Sequence, residues 1–119
     1  MQDKQLKASG ELVKQVAKRC YISSEDELIQ DRLLSIVNNA IFNVKSLLGI
    51  SDDNYDFSTS SMENELFLNY CMYRWNNRSQ KEFESNYMGD IIAIRSKNEV
   101  EYNKKLKQSN EESENEGEL

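Results

Sequence analysis

Hydrophobic residues recur at spacings of three and four along most of this chain, which is the pattern of amphipathic helices. The longest regular stretch predicts a helix over residues 26–48, followed by Gly49 at the position of a C-cap glycine. Ser24 and Glu27 form a capping-box pattern at its start. A shorter helix is predicted over residues 11–20.

Two further helices are predicted after a polar loop over residues 51–61. In residues 61–79 the apolar positions surround more than one face, which indicates a central helix, and Ser60 with Glu63 forms its capping box. Residues 80–105 form the last helix, in which Gly89 either weakens the helix or permits close packing against the central helix.

The fold class predicted from these segments is all-α, a small bundle of about four helices. The chain has no proline and no alternating run of β-branched residues, so strands are not expected. Seven side chains are expected to be largely buried: Ile36, Ile41, Val44, Leu66, Tyr70, Cys71 and Ile91.

Composition separates a helical domain from a polar tail. A length of 119 residues favours one domain, which we place at residues 1–106 with a frayed start over 1–9. Residues 107–119 contain five glutamates, no aromatic residue and one leucine. Such a segment buries too little to offset the entropy of ordering, so we expect a disordered acidic tail.

The net charge of −6 disfavours bulk attraction to nucleic acid or to an anionic membrane. We expect an intracellular protein, because no signal peptide and no run of about 18 apolar residues is visible. Cys20 and Cys71 lack a CxxC spacing, so they are predicted to be reduced and buried.

Candidate catalytic chemistry is sparse. The chain has no histidine, hence no imidazole base or ligand, and its four glycines form no phosphate-binding motif. Asp52, Asp53 and Asp56 lack the spacing and closing glutamate of an EF-hand, so a solvated loop is favoured over weak Ca²⁺ binding. We therefore predict no enzyme activity, no cofactor and no metal site.

Several polar residues are candidates for binding a partner. Lys14, Lys18 and Arg19 either contact DNA phosphates or an acidic partner, or form the solvent face of a short helix. Arg74 and Arg78 pair with acids either across a subunit boundary or within the chain. The loop over residues 51–61 is a second contact region, and the C-terminal extension a third; their candidate residues are Asp52, Asp53, Tyr55, Lys104 and Lys105.

The aromatic cluster of Tyr70, Tyr73 and Trp75 has two interpretations. Aromatic side chains can stack on nucleic-acid bases, but at helical spacing they more often belong to the core. We favour the core interpretation.

Three segments in order resemble one known family. They are SSEDELIQDRLLSIVNNAIFNVKSLLGI, then YCMYRWNNR after a polar loop, then GDIIAIR in the last helix. Together they are similar to the head–tail connector family, also called head-completion or adaptor proteins, of tailed double-stranded DNA phages. The resemblance covers about residues 10–105, and the extension over residues 104–119 departs from it.

The resemblance implies a small helical subunit that assembles into a ring beneath the portal, at the capsid vertex, after DNA packaging. Such a ring extends the DNA channel and docks the next connector or tail-joining protein, without catalysis or cofactor. DNA would pass without sequence-specific binding, and the protein would occupy the virion after assembly in the host cytoplasm. By the same resemblance, the C-terminal extension is a candidate contact with the portal.

Two other functions remain open at this point. One is a small helical DNA-binding or regulatory protein, for which residues 14–19 are the best candidate contact, although no helix–turn–helix glycine follows them. The other is a helical nuclease, which the absence of histidine disfavours.

Overall fold

The structure, a computed structural model, describes residues 9–117, which form five α-helices and no strand. This confirms the all-α fold. The helices are α1 (Gly10–Arg19), α2 (Glu27–Leu48), α3 (Met62–Trp75), α4 (Gln80–Asn86) and α5 (Met88–Gly117). One more helix is present than the approximate count predicted, because the segment predicted as the last helix is divided between α4 and α5.

Side-chain caps fix where the first four helices begin. The N-cap residues are Ser9, Asp26, Ser61 and Ser79, and each side chain accepts a hydrogen bond from a backbone N–H of the first turn. Both predicted capping boxes were therefore misplaced.

The observed cap residues lie closer than the predicted cap residues to the backbone N–H groups of the first turn, which have no acceptor within the helix. Asp26 Oδ1 accepts from the N–H of Leu28 at 2.9 Å, whereas Ser24 Oγ accepts from the N–H of Asp26 itself. A carboxylate is also favoured over a hydroxyl by the positive end of the helix dipole. At α3, Ser61 replaces Ser60 by a shift of one residue, and its Oγ accepts from the N–H of Asn64.

Gly49 ends α2 as predicted, in the left-handed conformation with φ 67°. The N–H of Ile50 donates to the carbonyl of Lys45 at 3.0 Å and closes the turn. A Cβ on Gly49 would lie 3.3 Å from Cγ of Arg95, so the glycine also lets α5 approach the end of α2.

Helix α3 is central, as predicted, because it packs against α1, α2 and α4, and α2 shares this place by packing against α1, α3 and α5. The fully buried residues of α3 include Phe67 and Cys71. Six of the seven side chains predicted to be buried are buried, and only Ile36 is half-buried. Ile36 lies at the edge of the packed face of α2, beside an open groove that it lines with Phe42 and Arg74.

The division between α4 and α5 at Tyr87 contradicts the single helix predicted over residues 80–105. Phe83 on α4 is buried and packs edge-on against Tyr70 and Tyr73 of α3. The buried residues of α5, Ile91 and Ile94, belong to a helix that packs instead on α2. The helix is interrupted at Tyr87, with φ −117° and ψ 17°, and this residue separates the part that packs on α3 from the part that packs on α2.

Gly89 does not pack closely against the central helix. A Cβ built at this residue would meet no heavy atom of the chain within 4 Å, so that interpretation of Gly89 was wrong.

Helix α5 continues to Gly117, through most of the segment expected to be a disordered acidic tail, and the disorder of that tail stays a prediction. Residues 1–8 and 118–119 lie outside the described part, and with them most of the frayed start predicted over residues 1–9. Helix α5 spans residues 106 and 107, and the division into a domain and a tail at this point stays a prediction. Side chains from Glu99 to Asn110 are all exposed, which agrees with the premise that this segment has little to bury. Lysine, glutamate and glutamine are good helix formers, and no proline interrupts them.

Candidate partner-binding surfaces

The structure divides the predicted basic strip on α1. Lys14 and Lys18 are exposed to solvent. Arg19 is half-buried and points at α3, where its guanidinium donates to Oδ1 of Asn69 at 2.6 Å and pairs with Glu65 at 3.2 Å. Arg19 thus links α1 to α3, and of the predicted basic strip only Lys14 and Lys18 remain exposed.

The polar loop over residues 51–61 is fixed to the bundle by one buried amide. Nδ2 of Asn64 donates to the carbonyl of Phe57 at 2.7 Å and to Oε1 of Gln15 at 2.8 Å. Nε2 of Gln15 in turn donates to the carbonyl of Ser58 at 2.9 Å. This network joins α1, the loop and α3, beside an open groove of about 520 Å³.

We expect Asn64→Ala to lower the free energy of unfolding by about 1–3 kcal/mol, because the buried carbonyl of Phe57 would lose its donor. Urea unfolding measures the difference, and Asn54→Ala on the exposed part of the loop is the control. Equal effects of the two substitutions would show that the network does not hold the loop.

Phe57 anchors the same loop in the core, and the sequence analysis did not predict this role. Its ring is buried and stacks on Phe67 with centroids 4.6 Å apart, while Tyr55 meets it edge-on at 4.9 Å. The available signal was a phenylalanine and a tyrosine inside an otherwise polar run. Tyr55 is half-buried, and this burial is the main reason that its pKa is raised.

The loop carboxylates mainly organise the backbone. Asp52 accepts from the N–H of Asn54, and Asp56 accepts from both the hydroxyl and the N–H of Ser58, which lowers the pKa of Asp56. Asp53 is fully exposed and lies 3.9 Å from Nζ of Lys45, a contact of little energetic weight. Among the described residues, no group of three or more acidic or cysteine side chains is placed to hold a metal ion.

Two of the predicted contact regions meet at one groove. Asp52 and Tyr55 of the loop and Lys105 of α5 line a groove of about 210 Å³ near the end of α2. Asn98 holds α5 there by donating to the carbonyl of Leu48 at 2.7 Å. Lys104 is exposed on α5 but does not line this groove.

Arg78 forms an ion pair within the chain, which was one of the two interpretations given for it; the other was a pair across a subunit boundary. Its guanidinium lies 2.6 Å from Oε2 of Glu82 and 3.9 Å from the centroid of the Tyr73 ring. The hydrogen bond from Arg78 lowers the pKa of Glu82. Arg74 donates to the carbonyl of Arg78 and is exposed beside the groove that Ile36 lines.

The aromatic cluster belongs to the core, as we favoured. Tyr70 and Tyr73 are buried, and their hydroxyls bond to side chains of the bundle. Trp75 is half-buried beneath the guanidinium of Arg32, which lies 4.2 Å from the ring centroid and donates to the Trp75 carbonyl. Arg32 was not predicted, because its partner is 43 residues away and no local pattern marks it.

Both cysteines are free thiols, Cys71 buried and Cys20 half-buried. Burial raises the pKa of Cys20 and raises that of Cys71 well above its ordinary value, so the reactive thiolate is disfavoured at both.

No helix in the described part of the chain has the length and hydropathy of a transmembrane span. Comparisons of the chain with protein-family models, with curated proteins and with solved structures gave no match.

Proposed function

We propose that this chain is a structural adaptor of the head–tail connector type, a subunit of a ring beneath a phage portal. The observation that carries the proposal is the order of its segments. The acidic helix start and its glycine end fall on α2, the polar run forms the connecting loop, YCMYRWNNR spans the end of α3, and GDIIAIR opens α5.

The surface chemistry supports a role in contacts between proteins. The loop over residues 51–61 is held rigidly by Asn64 and Phe57, so its exposed aspartates are presented in a fixed arrangement. A preorganised loop loses little entropy on binding, which favours recognition.

The charge supports passage of DNA rather than its retention. The net charge is −6, and each phosphate that a protein neutralises would add affinity and slow transit. In this proposal the ring extends the DNA channel, docks the next connector or tail-joining protein, and uses neither catalysis nor a cofactor. The subunit would form in the host cytoplasm and end at the capsid vertex of the virion.

The DNA that flanks this coding sequence tests the proposal most directly. Frames for a portal and a major capsid protein upstream, with short tail-joining frames downstream, are the expected result. Flanks that encode a repressor, a toxin or metabolic enzymes would overturn it and favour the small DNA-binding or regulatory protein. A mobility-shift assay with a salt titration would then test that function.

We expect deletion of residues 103–119 to weaken binding to the portal protein of the same vertex by at least tenfold. The reason is that this extension departs from the family pattern and carries the exposed Lys104 and Lys105. Binding is measured by interferometry on immobilised portal, with a chain lacking residues 1–8 as the control. Unchanged affinity of the C-terminal deletion would exclude this extension as the portal contact.

A further inference from the structure

Helix α5 carries a stripe of exposed apolar side chains beside the face that packs on α2. Met88, Ile92, Tyr102 and Leu106 are 53%, 55%, 49% and 45% exposed. Single exposed apolar residues are ordinary on protein surfaces, but several on one line of one helix indicate a contact surface.

The stripe follows a heptad. Arg95 and Glu99 lie between its two apolar ends, and their side chains form an ion pair with Nε 3.4 Å from Oε2. The intervals along the stripe alternate between four and three residues, which is the spacing of the seam in a two-helix coiled coil. Its positions in order are Met88, Ile92, Arg95, Glu99, Tyr102 and Leu106.

The same stripe is complementary to itself when reversed. If a second copy of α5 runs antiparallel, with the two-fold axis level with residue 97, Met88 lies opposite Leu106 and Ile92 opposite Tyr102. The basic Arg95 then lies opposite the acidic Glu99, and the symmetry makes this contact twice. This single antiparallel arrangement pairs apolar residues with apolar residues and a basic residue with an acidic one. We therefore infer that the stripe is the interface for a second copy of this chain.

A parallel pair does not fit. In register it would place Arg95 against Arg95 and Glu99 against Glu99, and like charges at close range repel. The antiparallel arrangement turns both repulsions into attractions and leaves the apolar ends covered. Charge complementarity therefore favours α5 of a second copy as the partner helix and an antiparallel direction for it.

One edge of the stripe leaves room for the partner. The residues that flank it there are Gly89, Ser96 and Asn103, all small or uncharged and all exposed. A Cβ at Gly89 would have no heavy atom within 4 Å, so the first turn of α5 is open to close approach. A glycine inside a helix lowers the stability of that helix. Close approach of a second chain would give the exposed Gly89 a role in packing between chains.

The expected association is weak. The stripe spans about 27 Å at 1.5 Å per residue, which is short for a stable two-helix interface. We expect a monomer–dimer equilibrium that depends on concentration. The inference does not depend on the proposed function, because a two-fold contact closes with two subunits whereas a ring requires head-to-tail contacts.

Sedimentation equilibrium of the full chain, over a concentration series at low salt, tests the inference. The wild type should approach twice its mass of 13.9 kDa as concentration rises. Arg95→Glu and Glu99→Arg should each weaken association by at least tenfold, because each variant places like charges opposite one another. An equimolar mixture of the two variants should restore it, because every charged contact is then between opposite signs.

Both variants lose the ion pair within α5, and mixing them does not restore it. Recovery of association in the mixture therefore reports a contact between chains. Lys97→Glu is the matched control, because it makes the same charge change on an exposed residue outside the stripe. Circular dichroism verifies that every variant remains helical. A monomeric wild type at all concentrations, or a mixture no stronger than its components, would overturn the inference.

The apolar ends have their own matched pair of variants. Ile92→Ala should weaken association severalfold, whereas Val100→Ala should not. Both residues are β-branched, both lie on α5, and they are 55% and 54% exposed, but Val100 lies outside the stripe. Equal effects of the two substitutions would show that the stripe is not the interface.

Discussion

Replacing Phe83 by alanine should lower the free energy of unfolding by about 3–5 kcal/mol, the largest effect expected from one side chain here. The ring is 1% exposed and lies within an aromatic cluster. Its centroid is 5.2 Å from that of Tyr70, 5.4 Å from Tyr73 and 4.8 Å from Tyr87. Truncation removes the transfer energy of the ring and leaves a cavity that three fixed aromatic neighbours cannot fill.

Guanidinium unfolding monitored by circular dichroism measures the loss. Phe42→Ala is the matched control, because it removes the same ring from an exposed position on α2 and should change the free energy by less than about 0.5 kcal/mol. Similar losses for the two variants would show that α4 does not dock on α3 through Phe83. Because small domains are stable by only about 5–15 kcal/mol, the Phe83 variant should unfold at clearly lower denaturant concentration.

Leu66→Ala should cost about 2–5 kcal/mol, because Leu66 is buried on the central helix. Met62 begins the same helix and is exposed, so Met62→Ala is the control for any change in helix propensity. The comparison uses the same unfolding measurement. A loss below about 1 kcal/mol for Leu66→Ala would show that α3 is not the centre of the bundle.

Much of the helical architecture could be predicted from the sequence, because helix formation depends on local periodicity. The apolar face of α2 and its glycine end were both predicted correctly, as was the central place of α3. The caps of α2 and α3 were misplaced by one or two residues. Several serines and acids precede each helix, and which of them becomes the cap depends on backbone geometry that the sequence does not specify.

The candidate surfaces were less accessible to sequence reasoning. Lys14, Lys18 and Arg19 have the same charge and follow one another on one helix, yet only Arg19 reaches acceptors on α3. The partners of Arg19 and Arg32 are more than 40 residues away. Such contacts are decided when helices pack, so no local pattern separates a structural arginine from an exposed lysine.

The sequence by itself determined the all-α class, the apolar face of α2, the burial of Tyr70 and Tyr73 and the order of residues along α5, because each follows from spacing along the chain. The tertiary structure decided which side of each helix remains open. It broke the predicted last helix at Tyr87, since Phe83 must enter the cluster on α3 while Ile91 packs towards α2. Because α5 packs on α2 through Ile91 and Ile94, the stripe from Met88 to Leu106 stays exposed, and exposure is the property that a contact surface requires.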